Sequence, residues 1–177
     1  MGAFFDSPTP SEKWRRTQRF YLFDPEDGSV ARSLLKPNGR ENAVVVKSAQ
    51  PIRFQPIDHH PIISTLFSVS EPIADGLLFS RSHRTVIFVE LKNKKKHWQG
   101  RAVRQLSSTI AKFFATESLD PALLSCRRAY AANRSSYNMN RPFFALAESF
   151  RHQTGFTLHF TNRISIPPEE AFYVKGI

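Results

Sequence analysis

The chain has 177 residues and is 41% hydrophobic, which suits one domain with an ordinary core and excludes a disordered polymer. Its 25 Lys and Arg against 15 Asp and Glu give a formal charge of +10. Such a surface points to a polyanion, nucleic acid first, with an acidic membrane surface or simple solubility as the other uses of that charge. The lone cysteine, Cys126, excludes an intramolecular disulfide and a Cys-rich zinc site. No basic and then apolar leader opens the sequence, and no apolar run approaches bilayer length. A cytoplasmic protein with no membrane partner is the expectation.

In chain order, residues 1–8 read as a loose tail. Thr9-Pro10-Ser11-Glu12 reads as a helix start, with Thr9 as N-cap, Pro10 at N1 and Glu12 closing a capping box. Residues 19–23 read as extended, and Asp24-Pro25-Glu26-Asp27-Gly28 and Lys36-Pro37-Asn38-Gly39 as turns. The β-branched run at 43–47 predicts a strand, whereas Pro51, Pro56 and Pro61 favour a loop or a sheet edge.

Residues 74–79 and 85–92 predict two strands, joined by Arg81-Ser82-His83-Arg84, a polar connection of hairpin length. The second strand is apolar on both faces in its interior, as in the middle of a covered sheet. A basic loop, Lys94-Lys95-Lys96-His97-Trp98-Gln99-Gly100, leads into a helix over about 101–114. Val103, Leu106, Ile110 and Phe113 form that helix's core stripe, and Arg101, Gln105 and Lys112 share one flank. Residues 126–132 fit a strand or a helix, and the strand is preferred. Pro142 at N1, a stripe of Phe143, Leu146, Ala147 and Phe150, and Gly155 as C′ define a second helix. Phe143, Phe144 and Phe150 are expected in the core. Alternation over 156–166 predicts one strand, stopped by Pro167-Pro168.

The hairpin carries the chemistry. If Phe79 pairs with Val86, then Leu77 faces Phe88 and Asp75 faces Glu90. Two carboxylates would then stand opposite each other with Cβ atoms roughly 5 Å apart, where like charges are unfavourable. Such a pair invites a cation, and oxygen ligands suit Mg²⁺ or Mn²⁺. Lys92 lies two residues past Glu90 on the same face, placing an ammonium beside the cation. The backbone carbonyl of Leu91 offers a further ligand. Glu-x-Lys alone is weak, since nine Glu and nine Lys in 177 residues supply about half an occurrence by chance. Three features strengthen it. The Glu-x-Lys ends an apolar strand, an Asp lies opposite in a register set by apolar pairs, and a Gln-bearing helix follows.

Asp75-Gly76-Leu77-Leu78-Phe79, Phe88-Val89-Glu90-Leu91-Lys92 and Ala102-Val103-Arg104-Gln105-Leu106 together resemble the PD-(D/E)XK nuclease superfamily. The resemblance covers about a third of the chain. It implies an α/β fold with a restriction-endonuclease-like core, a central mixed sheet flanked by helices. It also implies metal-dependent hydrolysis of phosphodiesters. Asp75 and Glu90 would be metal ligands, Lys92 the catalytic lysine and Gln105 the helix glutamine of many members. Ala74 stands where the motif's proline would be. An upstream acid often completes such sites, and Glu41 and Asp58 are the candidates.

Lys94, Lys95, Lys96 and Arg101 are the expected nucleic-acid contacts, against a plain solvated loop. Arg81 and Arg84 read as surface charge, and Trp98 as a packing residue. His59-His60 is a poor metal pair, because adjacent extended residues point apart. Ser107, Ser108 and Cys126 have no evident histidine partner for nucleophilic catalysis. The expectation is a Mg²⁺-dependent nuclease acting on nucleic acid, DNA first. A homodimer or protein partner would explain double-strand cutting. Its rivals are a non-catalytic nucleic-acid-binding module and a subunit of a larger DNA-processing or defence complex.

Overall fold

The computed structural model describes residues 2–7, 12–16, 18–37, 43–94, 97–133 and 143–169. The elements are α1 (Ala3–Asp6), β1 (Arg19–Phe23), β2 (Arg32–Leu34), β3 (Val44–Ser48), β4 (Ile52–Pro56), β5 (Gly76–Ser80) and β6 (Thr85–Lys92). Then follow α2 (Gln99–Thr116), β7 (Cys126–Asn133), α3 (Phe143–Thr154), β8 (Thr157–Thr161) and β9 (Arg163–Ile166).

Alternation builds the layers. In β5 and β6, Leu77, Phe79, Val86 and Phe88 project to one face and Leu78, Ile87 and Val89 to the other, and all are buried. These strands lie inside a five-stranded sheet of order β4-β5-β6-β7-β8. Its first two pairings are antiparallel, and β6-β7 and β7-β8 are parallel. Each parallel step spans a helix, α2 and then α3, as parallel strands require. Both helices pack on the face that carries Leu77 and Phe88. On β7 that face shows Ala129 and Ala131, small enough for close helix approach. Among the described residues, no helix flanks the other face. A four-stranded sheet, β2-β1-β3-β9, covers it with Phe20, Leu22, Val44, Val46 and Ile164. The result is an α/β molecule with two mixed sheets. No described helix is long and apolar enough to cross a membrane.

The position of β4 in the sheet accounts for Pro56: it is an edge strand, where a missing N–H is tolerated. The connection at residues 81–84, the helix stripe of α2 and the strand at β7 stand as the pattern predicts. Gly155 follows α3 with φ +73°, the left-handed conformation a C′ glycine supplies.

Four expectations change. The opening residues are not a loose tail, because α1 buries Phe4 and Phe5 in the core. Residues 9–11 of the proposed capping box lie outside the described residues, and residues 12–16 are not helical. The buried Glu12 carboxylate instead accepts the Ser33 N–H and hydroxyl, each at 2.6 Å, so it serves β2. Phe144 is 77% exposed, because the α3 core stripe passes through Phe150 and partly through Phe143. The strand over 156–166 is two strands, β8 in the larger sheet and β9 in the smaller, broken at Asn162.

Candidate functional site

The β5-β6 register pairs Gly76 with Val89, Leu77 with Phe88, and Phe79 with Val86, as the apolar pattern requires. Past Gly76 the ladder ends. Ala74 donates its N–H to the Thr109 hydroxyl at 2.8 Å instead of pairing with β6. Gln105 Nε2 donates to the Ile73 carbonyl at 2.7 Å. Gln105 and Thr109, one turn apart on α2, thus draw the segment before β5 onto the helix. The Ile57 N–H donates to the Asp75 carbonyl at 2.9 Å, which brings Asp58 to the rim.

In the fork so opened the two carboxylates meet. Asp75 Oδ2 accepts the Leu91 N–H at 2.5 Å, and Glu90 Oε2 accepts the Asp75 N–H at 3.2 Å. Glu90 Oε1 accepts from Lys92 Nζ, an ion pair between a buried carboxylate and a half-buried ammonium. The N–H and C=O of a strand residue point to the same side. The Leu91 carbonyl therefore also points toward Asp75, past the last rung. Gln105 is 7% exposed, and its buried Oε1 has no hydrogen-bond partner among the described residues.

Electrostatics follow from burial. Glu90 is fully buried, and desolvation pushes its pKa up to about 7 despite the opposing pull of Lys92 and the Asp75 N–H. The charge of Asp58 adds a further upward push. Asp75 is held well above the usual carboxylate range, first by desolvation and next by the Glu90 charge. Lys92 and the Leu91 N–H act in the opposite direction.

The fold thus brings Asp75, Glu90, Lys92, the Leu91 carbonyl and Gln105 to one end of the sheet. Arg101 is exposed in the first turn of α2, just past that end. Lys94 is exposed, and its carbonyl accepts from Asn133 Nδ2 at 2.6 Å. Lys95, Lys96 and Glu41 lie outside the described residues. Asp58 reaches Glu90 through its charge, while its own carboxylate is 3.6 Å from His59 Nε2. No group of three His, Cys, Asp or Glu side chains able to hold a metal occurs among the described residues. His60 is buried, and its Nδ1 accepts the Ile62 and Ile63 N–H groups. Trp98 is buried edge-on against Phe160, a packing role. Thr109 is the positioning residue that the sequence reading passed over. Its signal was the four-residue spacing from Gln105.

Gly76 holds the last rung. A Cβ there would lie 2.3 Å from Phe54 Cε2 and 3.0 Å from the Gln55 carbonyl oxygen. Gly76→Ala is therefore expected to lower stability by about 1–3 kcal/mol through overpacking, read as a reduced urea midpoint. An unchanged midpoint would show that Phe54 turns aside freely.

Comparison with family models, with curated proteins and with solved structures gives no match.

Proposed function

We propose that this chain is a divalent-metal-dependent nuclease that hydrolyses phosphodiester bonds of nucleic acid, with DNA as the expected substrate. The carrying observation is that Asp75 and Glu90, two buried carboxylates, lie together beside Lys92, Glu90 accepting the Asp75 N–H just past the last rung of the ladder. Such a pair is costly unless a cation or protons offset it. The resemblance of this segment to the PD-(D/E)XK nucleases accords with the same reading, and with a restriction-endonuclease-like core.

The donor set suits Mg²⁺ or Mn²⁺. All its atoms are hard oxygens: the two carboxylates and the Leu91 carbonyl at the open rung. When bound, the ion would supply Lewis acidity at the scissile phosphate. The chain's own groups do the rest. Asp75 and Glu90, once deprotonated, would hold the ion. Lys92, paired with Glu90 in this structure, would use its ammonium to balance the charge that develops on the phosphoryl group. Gln105 and Thr109 fix the approach of Asp75. Lys94 and Arg101 meet flanking phosphates.

A second reading is a binding module that does not cut. The Lys92–Glu90 ion pair favours it, since the lysine already neutralises one carboxylate.

Supercoiled plasmid, linear duplex and single strands, each with EDTA, Mg²⁺ or Mn²⁺, separate the two. The nuclease reading expects metal-dependent cutting that is lost in Asp75→Ala and Lys92→Ala. A folded natural protein that binds these substrates but cuts none of them establishes the binding module.

A further inference from the structure

The four-stranded sheet has an outer face that the cleavage site does not use. Its strands bury one set of residues against the larger sheet, and the pleat sends the alternate set outward. The registers place Arg19 beside Lys47, Tyr21 beside Val45, Val45 beside Arg163, and Phe23 beside Arg32. Arg19, Arg32, Lys47 and Arg163 are exposed, and Tyr21 and Phe23 are half-buried between them. None of the four strands contains an Asp or Glu. Among the described residues, no salt bridge engages Arg32, Lys47 or Arg163. The Arg32 guanidinium lies 5.4 Å from the Phe23 ring centroid. A groove of 550 Å³, lined by Arg19, Lys47 and Ser165 among others, runs along one end of the face.

Like charges gathered on one face repel each other, and a polyanion relieves that repulsion while releasing its counterions. Rings set among those charges add a requirement that phosphate alone does not explain. A duplex hides the faces of its bases, whereas an unpaired strand offers them for stacking. Tyr21 and Phe23 are two positions apart on one strand, hence roughly 7 Å apart on the same face. We propose that this outer face binds single-stranded nucleic acid, with Tyr21 and Phe23 stacking on bases and Arg19, Lys47 and Arg163 meeting the backbone phosphates. A second copy of the chain is a poor occupant, because it would bring the same positive charge.

The inference rests on the sheet face and not on cleavage, so it is tested in EDTA, where cutting is silent. Fluorescence anisotropy with a labelled oligothymidine, its duplex counterpart, and vesicles containing phosphatidylserine gives the affinities. The single strand should bind tightest. Tyr21→Leu keeps apolar cover on the sheet but removes the ring, and should weaken that binding by roughly 5- to 150-fold. Lys47→Ala and Arg163→Ala, both at exposed positions, should each reduce the slope of log K against log salt by about 0.7. Circular dichroism checks that the variants are folded. Unchanged single-strand affinity in Tyr21→Leu, or tighter binding of duplex or vesicles, overturns the inference and leaves the nuclease reading standing. Ring-dependent strand binding by a protein that never cuts upholds the inference and removes the nuclease reading.

Discussion

At pH 8 in EDTA, Glu90→Gln is expected to melt at a higher temperature than the natural protein while losing metal-dependent cleavage. Glu90 is fully buried, and its pKa stands at about 7 against an ordinary 4.5. A carboxyl group raised in the folded state favours folding while it stays protonated. That contribution is complete below pH 4.5 and is lost as pH climbs through about 7. The shift corresponds to about 3 kcal/mol forfeited at high pH. Glutamine keeps the shape and an oxygen for the Asp75 N–H, but it deprives Lys92 of a counter-charge, so a net gain of about 2 kcal/mol is expected. In a chain of this length that is a rise of roughly 4–8 °C. Near pH 4 the gain disappears, because the natural carboxyl is then protonated. Mg²⁺ should reverse the ranking at pH 8, stabilising the natural protein and leaving the variant unmoved. Cleavage should fall by roughly 10²- to 10³-fold or more. Thermal melts at the two pH values, with and without the ion, decide the matter. A variant less stable than the natural protein by the same margin at both would mean that Lys92 keeps Glu90 ionised throughout.

Phe113→Ala is expected to cost about 3–5 kcal/mol, the range for deleting a buried aromatic. The Phe113 ring is fully buried and lies edge-on to Phe4, Phe5, Phe88 and Phe114, with centroids 5.2–5.4 Å apart. It therefore joins α1, β6 and α2 at one point. Removing it leaves a cavity that four rigid rings cannot close by changing rotamer, and it forfeits the edge-to-face contacts as well. Chemical denaturation should show a lower midpoint with an unchanged slope. Phe144→Ala, on the exposed side of α3, should change stability by less than about 0.5 kcal/mol. Equal effects from the two substitutions would contradict the burial pattern that distinguishes them.

The contrast between those phenylalanines shows what local pattern can and cannot decide. Alternation in β5 and β6 was enough to set their register and so to bring Asp75 toward Glu90, because a one-residue slip would turn every apolar side chain to the wrong face. The three-and-four spacing of α2 likewise revealed its buried stripe, and Gly155 its partner helix's end. Those signals are local and repeat over several residues. Where a feature depends on a distant partner, no such repetition exists. Four-residue α1 is too short to show a period, and it is in the core because Phe4 and Phe5 dock on Phe113. Glu12 reads as a helix cap until Ser33, far along the chain, takes its carboxylate. Residues 157–166 keep one alternating pattern across Asn162, yet β8 pairs with β7 and β9 with β3. The burial of Glu90, and with it the raised pKa, also came from assembly. A strand pattern marks which side chains share a face, but only the packed helices, with Gln105 and Thr109 drawing the chain across the fork, remove that face from water.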